Sequence, residues 1–243
     1  MSYLWISLVL GIVAGLANLF GGAIVSARSW SRTFLALFIA LGSGFMLATA
    51  LTEMVPESLL LAPRSAPALI LLGYFIVHFF EHSLPAHFHF GEETHRDEFV
   101  NPRVAYTALG GLAIHTFFDG VAITSGFLIS PWLGTIIFGA TILHNIPEGF
   151  TMASIMVAAG RSRRAGMGAV GVLAVSRVLG VLGMALAHRW VNYGLALSAG
   201  VTLYVAASDL IPEVNKMRSP KYALIVALGV ALVLVMRYLF FAP

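Results

Sequence analysis

Eight apolar stretches follow one another through this chain of 243 residues. Hydrophobic residues make up 59% of the sequence, charged residues make up 10%, and the mean hydropathy is +0.90. Soluble domains average about 25% charged residues, so a surface built from this composition could not be hydrated. A helix crosses the hydrocarbon core of a bilayer with about 20 apolar residues. The sequence therefore predicts an all-α integral membrane protein and excludes a soluble globular one.

We expect each apolar stretch to form one transmembrane helix. The first stretch lacks the basic residues and the short apolar core of a signal peptide, so it is interpreted as a helix that stays. The uncharged run 120–147 is divided at Ser130-Pro131, where a turn is favoured. One transmembrane domain, residues 1–243 with an inner polar loop at about 82–103, then contains eight predicted spans: Met1–Ala27, Thr33–Val55, Ala66–Phe80, Val104–Ile123, Trp132–Ala158, Ala165–His188, Tyr193–Ile211 and Tyr222–Phe241.

The distribution of lysine and arginine predicts the orientation, because cytoplasmic loops carry an excess of these residues. With the N-terminus outside, the outer loops hold only Arg64 and Arg189. The inner loops then hold ten basic residues: Arg28, Arg32, Arg96, Arg103, Arg161, Arg163, Arg164, Lys216, Arg218 and Lys221. We therefore expect an integral protein of a bacterial cytoplasmic membrane, with both termini outside.

The ends of helices two and seven share a pattern. Glycine, an acid, proline and glutamate recur at the same spacing in Gly44–Glu57 and in Gly200–Glu213. Because these helices cross in opposite directions, the pattern predicts an inverted repeat of helices 1–3 and 6–8 around helices 4 and 5, as in many secondary transporters. The acids of the pattern, Glu53 and Asp209, are candidate path residues that attract cations. A simple helix terminator with a solvated acid is the alternative.

Helices four and five each carry a histidine and a carboxylate four residues apart, namely His115 with Asp119 and His144 with Glu148. This spacing places both side chains on one helix face. Ionisable residues near the bilayer centre are costly and usually functional. Two imidazoles and two carboxylates from facing helices form a four-ligand shell that suits Zn²⁺, and also Fe²⁺, Mn²⁺ or Co²⁺. Hydrogen-bonded packing pairs are the alternative, and the recurrence on consecutive helices favours the metal.

The segments His115–Gly120 and His144–Gly149 resemble the ZIP (Zrt/Irt-like protein) family of divalent metal transporters. The resemblance extends to the eight spans, the outer termini, the histidine-containing inner loop and the Pro-Glu ends of helices two and seven. It implies a 3+2+3 helix arrangement and a transport site between helices four and five. It also implies a divalent metal as the substrate, usually zinc and in some members iron, manganese, cobalt or cadmium, with no catalytic cofactor.

The sequence departs from the family at the positions where many members bind a second ion. Here these positions read Thr116, Asn145 and Arg177. Threonine and asparagine are weak ligands, and arginine cannot lose its proton. The resemblance therefore implies one metal site, formed by His115, Asp119, His144 and Glu148. We expect Arg177 to stand in for the second ion and to pair with the two carboxylates, because an isolated charge at that depth is costly.

Four further histidines lie in the inner loop: His82, His87, His89 and His95. Such a tract either binds metal loosely or is a solvated polar loop. The expected function is import of a divalent transition metal, most often zinc, into the cytoplasm. An intramembrane metal-dependent hydrolase is the alternative. The expected partners are the metal ion and the lipid bilayer, with no nucleic acid and with a homodimer left open.

Overall fold

The computed structural model describes residues 2–27, 32–83, 102–217 and 219–241, and within these ranges it is helical without a β-strand. We number eight long helices. Two of them, α2 and α7, contain a π-helical segment. The helices are α1 (Ser2–Ala27), α2 (Arg32–Thr49, π-helical Ala50–Met54, then Val55–Leu61), α3 (Ala66–Ser83), α4 (Pro102–Ile129), α5 (Pro131–Ala158), α6 (Arg163–Leu186), α7 (Val191–Tyr204, π-helical Val205–Leu210, then Ile211–Lys216) and α8 (Pro220–Phe241). A 3₁₀ turn, His188–Trp190, precedes α7.

Six helical stretches of the described residues are long and apolar enough to cross a membrane: Trp5–Ile24, Ala36–Leu61, Ala105–Ile129, Arg163–Leu186, His188–Lys216 and Pro220–Leu239. The apolar part of α3 is shorter. Helix α5 has 28 residues, but its middle carries the polar residues of the candidate site, which lower its hydropathy. Length and composition therefore indicate an integral membrane protein, and six of the eight predicted spans are recognisable on these grounds alone.

The turn predicted at Ser130-Pro131 is confirmed. Ser130 is the N-cap of α5, and its hydroxyl accepts a hydrogen bond from the backbone N–H of Leu133 at 3.1 Å. Pro131 occupies the first turn of the helix, where its missing N–H has no intrahelical partner to lose. Ser130-Pro131 therefore separates α4 from α5, and these two helices pack against each other.

Helices α2 and α7 each contain a π-helical segment shortly before a proline, Pro56 and Pro212. A proline has no N–H to donate to the carbonyl four residues earlier. In α2 that carbonyl belongs to Thr52, and it accepts a hydrogen bond from Arg237 Nη1 at 2.8 Å. Single π turns inside α-helices are frequent at functional sites.

Both helices therefore continue beyond their predicted ends. Helix α2 reaches Leu61 rather than Val55, and α7 reaches Lys216 rather than Ile211. The predicted ends were wrong because each proline lies in the first turn after the π-helical segment, where a missing N–H does not stop the helix.

Helix α4 lies at the centre of the bundle. About 67% of its span is buried, against 11% of the span of α8. Helix α4 packs on α5, α6 and α7, while α5 also packs on α1 and α2. The outer contacts are those of α2 with α8 and of α3 with α7. The two predicted metal-binding helices are therefore enclosed by α1, α2, α6 and α7.

Glycines let the central helices approach one another closely. A Cβ on Gly120 of α4 would collide with the carbonyl oxygen of Arg177 in α6. Likewise, a Cβ on Gly149 of α5 would collide with the carbonyl oxygen of Asn18 in α1. The reciprocal approaches are made by Gly180 against Phe117 and by Gly21 against Ile146. This close packing brings side chains of α1 and α6 within reach of the histidine and carboxylate pairs.

Candidate metal centre

The two histidines meet half-way along α4 and α5. His115 Nε2 and His144 Nε2 are 3.4 Å apart, and the ring centroids are 5.4 Å apart. Both side chains are buried, with 3% of each residue exposed. Each histidine lies near the middle of a 28-residue helix. The helices therefore bring two imidazole nitrogens to one buried point.

Asp119 joins the histidines through a single oxygen. Its Oδ2 lies 3.2 Å from His144 Nε2 and 3.5 Å from His115 Nε2. These three side chains each offer one donor atom, and the three atoms lie within 4.8 Å of one another. Two imidazole nitrogens and one carboxylate oxygen are ligands that zinc accepts. Zinc usually has four ligands, so these three would leave one coordination position. The arrangement can hold a divalent transition metal.

A backbone hydrogen bond orients His144. Its Nδ1 lies 2.9 Å from the carbonyl oxygen of Ala140. A carbonyl only accepts, so Nδ1 carries a proton, and in the neutral ring Nε2 is then the nitrogen that can bind an ion. This is the usual arrangement around a metal-binding histidine, because the bond on one nitrogen fixes the other for the ion. His115 Nδ1 has no hydrogen-bond partner among the described residues.

Glu148, the fourth predicted ligand, lies beside this group rather than in it. Its Oε2 accepts a hydrogen bond from Asn18 Nδ2 at 2.7 Å and lies 3.5 Å from Arg177 Nη2. Its other oxygen, Oε1, is buried and has no hydrogen-bond partner in the part of the chain that the structure describes. Oε2 of Glu148 is therefore held by neighbouring side chains, while Oε1 has no hydrogen bond to any described residue.

Arg177 is completely buried, in the middle of α6. Its Nη2 lies 3.1 Å from Asp119 Oδ2 and donates to Asn145 Oδ1 at 2.8 Å. Its Nη1 donates to Asn18 Oδ1. The structure places Arg177 against both carboxylates, in agreement with the depth argument from the sequence. A buried guanidinium needs such partners because an unpaired buried charge is very costly.

Thr116 and Asn145 face different partners. The Thr116 hydroxyl donates to the carbonyl oxygen of Leu112 at 3.0 Å, within its own helix. Asn145 Nδ2 donates to the carbonyl oxygen of Ala14 at 2.8 Å, which leaves its oxygen for Arg177. Thr116 therefore contributes nothing to the charged group, whereas Asn145 belongs to the surroundings of Arg177.

A small cavity adjoins the group on the side of α2 and α7. Its lining includes Asp119, His144, Thr49 and Thr202. The Thr49 hydroxyl is buried and has no hydrogen-bond partner among the described residues. The cavity is about the size of one water molecule. Asp119 thus contacts Arg177 and also lines this cavity.

The two candidate path acids occupy the π-helical segments. Glu53 Oε2 accepts from the indole Nε1 of Trp132 at 3.1 Å, and Oε1 lies 3.6 Å from Arg237 Nε. Asp209 is 4% exposed. Neither acid belongs to the three-donor group, and their part in an ion path stays a prediction. Three loop histidines, His87, His89 and His95, lie outside the described residues, as does the side chain of His82.

Comparison with known protein families identifies the family of this chain. A model of the ZIP zinc transporter family matches residues 97–237, more than half of the chain and the whole of α4 to α7. The chain belongs to the ZIP family. Members of this family are transporters rather than enzymes, which argues against the intramembrane hydrolase considered from the sequence.

Three mammalian relatives are similar to this ZIP chain. The metal cation symporter ZIP14 of Mus musculus is 30% identical over 124 residues, which are 47% of this chain and 25% of ZIP14. The zinc transporter ZIP6 of Homo sapiens is 32% identical over 119 residues, 45% of this chain and 15% of ZIP6. The human zinc transporter SLC39A7 is 30% identical over 138 residues, 51% of this chain and 29% of that protein. The match therefore covers less than a third of each relative.

Sequence reasoning missed Asn18. The residue is fully buried in α1, where it bonds both Glu148 and Arg177. Its signal was a single amide within the otherwise apolar first stretch, at 18 residues from the start. Polar side chains in transmembrane helices usually face the protein interior. The sequence therefore could have shown that Asn18 faces the interior, although it does not show which residues Asn18 contacts.

Proposed function

We propose that this ZIP chain transports a divalent transition-metal ion, with zinc as the main substrate, and that His115, Asp119 and His144 bind the ion during passage. The observation that carries the proposal is the contact of His144 Nε2 with Asp119 Oδ2 at 3.2 Å. The neutral tautomer of His144 that keeps its proton on Nδ1 has a lone pair on Nε2, which faces a carboxylate oxygen. A cation between them stabilises the arrangement, and His115 Nε2 supplies a third donor. Zinc accepts this mixed donor set.

Glu148 is proposed as the fourth ligand. Its Oε1 is buried without a hydrogen bond among the described residues, and a buried polar atom without a partner is costly. An ion bound by the three-donor group offers that oxygen a partner after a side-chain rotation. The carboxylate also supplies charge, since the ion carries two positive charges into a region already containing Arg177.

One ion is expected at this centre rather than two. Asp119, Glu148 and Arg177 together carry a formal charge of −1, and one divalent ion raises it to +1. A second divalent ion would raise it to +3 within a few ångströms, where the low dielectric strengthens repulsion. Arg177 therefore takes the place of a second ion, and its contacts with Asp119 and Glu148 support this role.

The eight helices are proposed to be eight membrane spans in an inverted 3+2+3 repeat. The contacts of α2 with α8 and of α3 with α7 exchange under such a repeat, as do those of α1 with α5 and of α4 with α6. The two π-helical segments lie at matching positions of α2 and α7. Binding half-way along the helices then places the ion near the bilayer midplane, as in other repeat-built transporters. The basic inner loops support outer termini. Transport towards the cytoplasm is the direction that we propose.

Uptake into vesicles tests the proposal. The purified protein is reconstituted into liposomes that contain a zinc-sensitive dye, and zinc is added outside. Wild-type protein should give saturable uptake, and His144→Ala should reduce it at least about tenfold because one of three donors is lost. The control is His188→Ala, which removes an exposed histidine in the 3₁₀ turn. Equal uptake by wild type and His144→Ala would contradict the site.

A further inference from the structure

Arg177 contacts both carboxylates of the centre, Asn18 contacts Glu148, and the two side chains together are called the Asn18–Arg177 clamp. Arg177 Nη2 lies 3.1 Å from Asp119 Oδ2, and Asn18 Nδ2 donates to Glu148 Oε2 at 2.7 Å. Asn18 Oδ1 accepts from Arg177 Nη1, which joins the two side chains. All four residues are buried. Each carboxylate therefore has a protein partner before any ion arrives.

The clamp and the ion need the same atoms. Three groups converge on Asp119 Oδ2: Arg177 Nη2 at 3.1 Å, His144 Nε2 at 3.2 Å and His115 Nε2 at 3.5 Å. An ion held by the imidazoles and this oxygen lies within a few ångströms of the guanidinium. Two cations that close repel strongly in a buried site. The ion and Arg177 cannot both be paired fully with Oδ2.

We propose that the Asn18–Arg177 clamp competes with the transported ion for Asp119 and Glu148, and so limits ion affinity and promotes ion release. This inference rests on the proposed function. When the ion binds, Asp119 exchanges Arg177 for the ion, and Arg177 stays held by Asn18 and Asn145. When the ion leaves, Arg177 pairs with Asp119 again. Asp119 thus has a cationic partner in both states.

Asn18 is suited to this role because a neutral amide both donates and accepts. It bonds a carboxylate and a guanidinium at once without adding charge. The short side chain reaches them because Gly149 lets α5 lie against the backbone of α1 at Asn18. Asn18 is therefore a positioning residue that acts on the ion through Glu148 and Arg177.

The first test is Arg177→Gln in the purified full-length protein. Zinc affinity is measured by titration calorimetry, and uptake is measured in liposomes. The clamp predicts that the dissociation constant falls at least about tenfold, with a lower KM and a lower maximal rate because release is slower. A purely structural role for Arg177 would instead weaken binding. Unchanged or weaker zinc binding by a folded Arg177→Gln protein contradicts the proposal.

The second test is Asn18→Asp, which replaces one nitrogen by oxygen. The variant keeps an acceptor for Arg177, gives Arg177 its own carboxylate, and removes the donor that holds Glu148. Zinc affinity should rise about tenfold, and by less than about threefold when Glu148→Gln is also present, because the carboxylate that Asn18 itself holds is then absent. An equal rise in both backgrounds would show that Asn18→Asp acts by charge alone, which overturns the proposal, as would no rise in either.

A control and a comparison complete the design. Ser43→Ala changes a buried α2 side chain whose hydroxyl donates to the carbonyl of Ala40 in the same helix, and it should leave zinc affinity unchanged. Failure of wild-type protein to bind zinc would reject the proposed function itself. Zinc binding that requires His144 but is not tightened by Arg177→Gln or Asn18→Asp would reject the clamp alone. If Arg177→Gln does not fold, the Asn18→Asp series decides.

Discussion

Asp119 of α4 and Glu148 of α5 occupy the same position of a repeated motif, yet their surroundings differ. Asp119 Oδ2 faces two imidazoles and Arg177. Glu148 Oε2 faces Asn18 and Arg177, away from the three-donor group. The difference originates in the other neighbours, because Arg177 contacts both carboxylates, whereas the histidines contact Asp119 and Asn18 of α1 bonds Glu148. Equal spacing in a sequence therefore gives equal helix faces but different chemical roles.

The largest predicted effect separates the two carboxylates. Asp119→Asn should weaken zinc binding at least about a hundredfold, because it removes the charged donor shared by both histidines. Glu148→Gln should weaken binding about tenfold, because the three-donor group persists. Titration calorimetry on the two purified variants measures the contrast, with Ser43→Ala as the control. Equal losses would show that the two carboxylates act as equivalent ligands.

Reversing the charge of Arg177 tests how this residue affects the two carboxylates. Arg177→Glu should raise the number of tightly bound zinc ions from one to two per chain, because a third carboxylate replaces the guanidinium between Asp119 and Glu148. Metal analysis after gel filtration measures the ratio. Both proteins should have the four loop histidines replaced by alanine, so that loop binding does not contribute. Two tightly bound ions in the Arg177 protein would contradict the one-ion proposal.

Alanine at Gly149 tests whether Asn18 reaches Glu148 through close helix packing. A Cβ at Gly149 would collide with the carbonyl oxygen of Asn18, so Gly149→Ala should lower stability by about 1–3 kcal/mol. The matched control is Gly168→Ala in α6, where a Cβ would meet nothing within 4 Å. Unfolding in detergent measures both. A Gly149→Ala protein as stable as the control would refute the close approach.

The smallest effect is expected where an arginine contacts a carboxylate near the surface. Arg237 is half-exposed, lies 3.6 Å from Glu53 and bonds the carbonyl of Thr52. Arg237→Gln should lower stability by at most about 1 kcal/mol, since glutamine keeps a hydrogen-bond donor and a half-exposed ion pair contributes little. The same unfolding assay applies. A loss as large as that for Gly149→Ala would show that the π-helical segment of α2 depends on Arg237.

The sequence could predict the histidines and carboxylates of the centre. It could not predict which of the two carboxylates lies with the histidines. Spacing of four residues placed His115 with Asp119 and His144 with Glu148, and depth predicted a partner for Arg177. No periodicity shows which carboxylate joins the imidazoles, because that depends on hydrogen bonds from other helices. The contacts of Asn18 could not be predicted for the same reason. A single amide in an apolar run does not reveal the helix that it faces.

The sequence could predict the helices and a turn of the fold. It could not predict where a helix continues through a proline. The apolar runs predicted an all-helical membrane protein, and Ser130-Pro131 predicted the turn between α4 and α5. The continuation of α2 through Pro56 was missed because a π-helical segment and the distant Arg237 accommodate the proline. The carbonyl that the proline leaves without a helix partner is bonded by a residue 185 positions away in sequence, and local patterns do not show such a contact.

X-ray absorption spectroscopy of the zinc-loaded protein tests the metal centre most directly. The measurement uses purified protein in which His82, His87, His89 and His95 are replaced by alanine, so that signals from the loop are absent. We predict one zinc ion per chain with two imidazole nitrogens and carboxylate oxygens as ligands, and loss of one imidazole on His144→Ala. A zinc shell without imidazole, or one that is unchanged by His144→Ala, would contradict binding between α4 and α5.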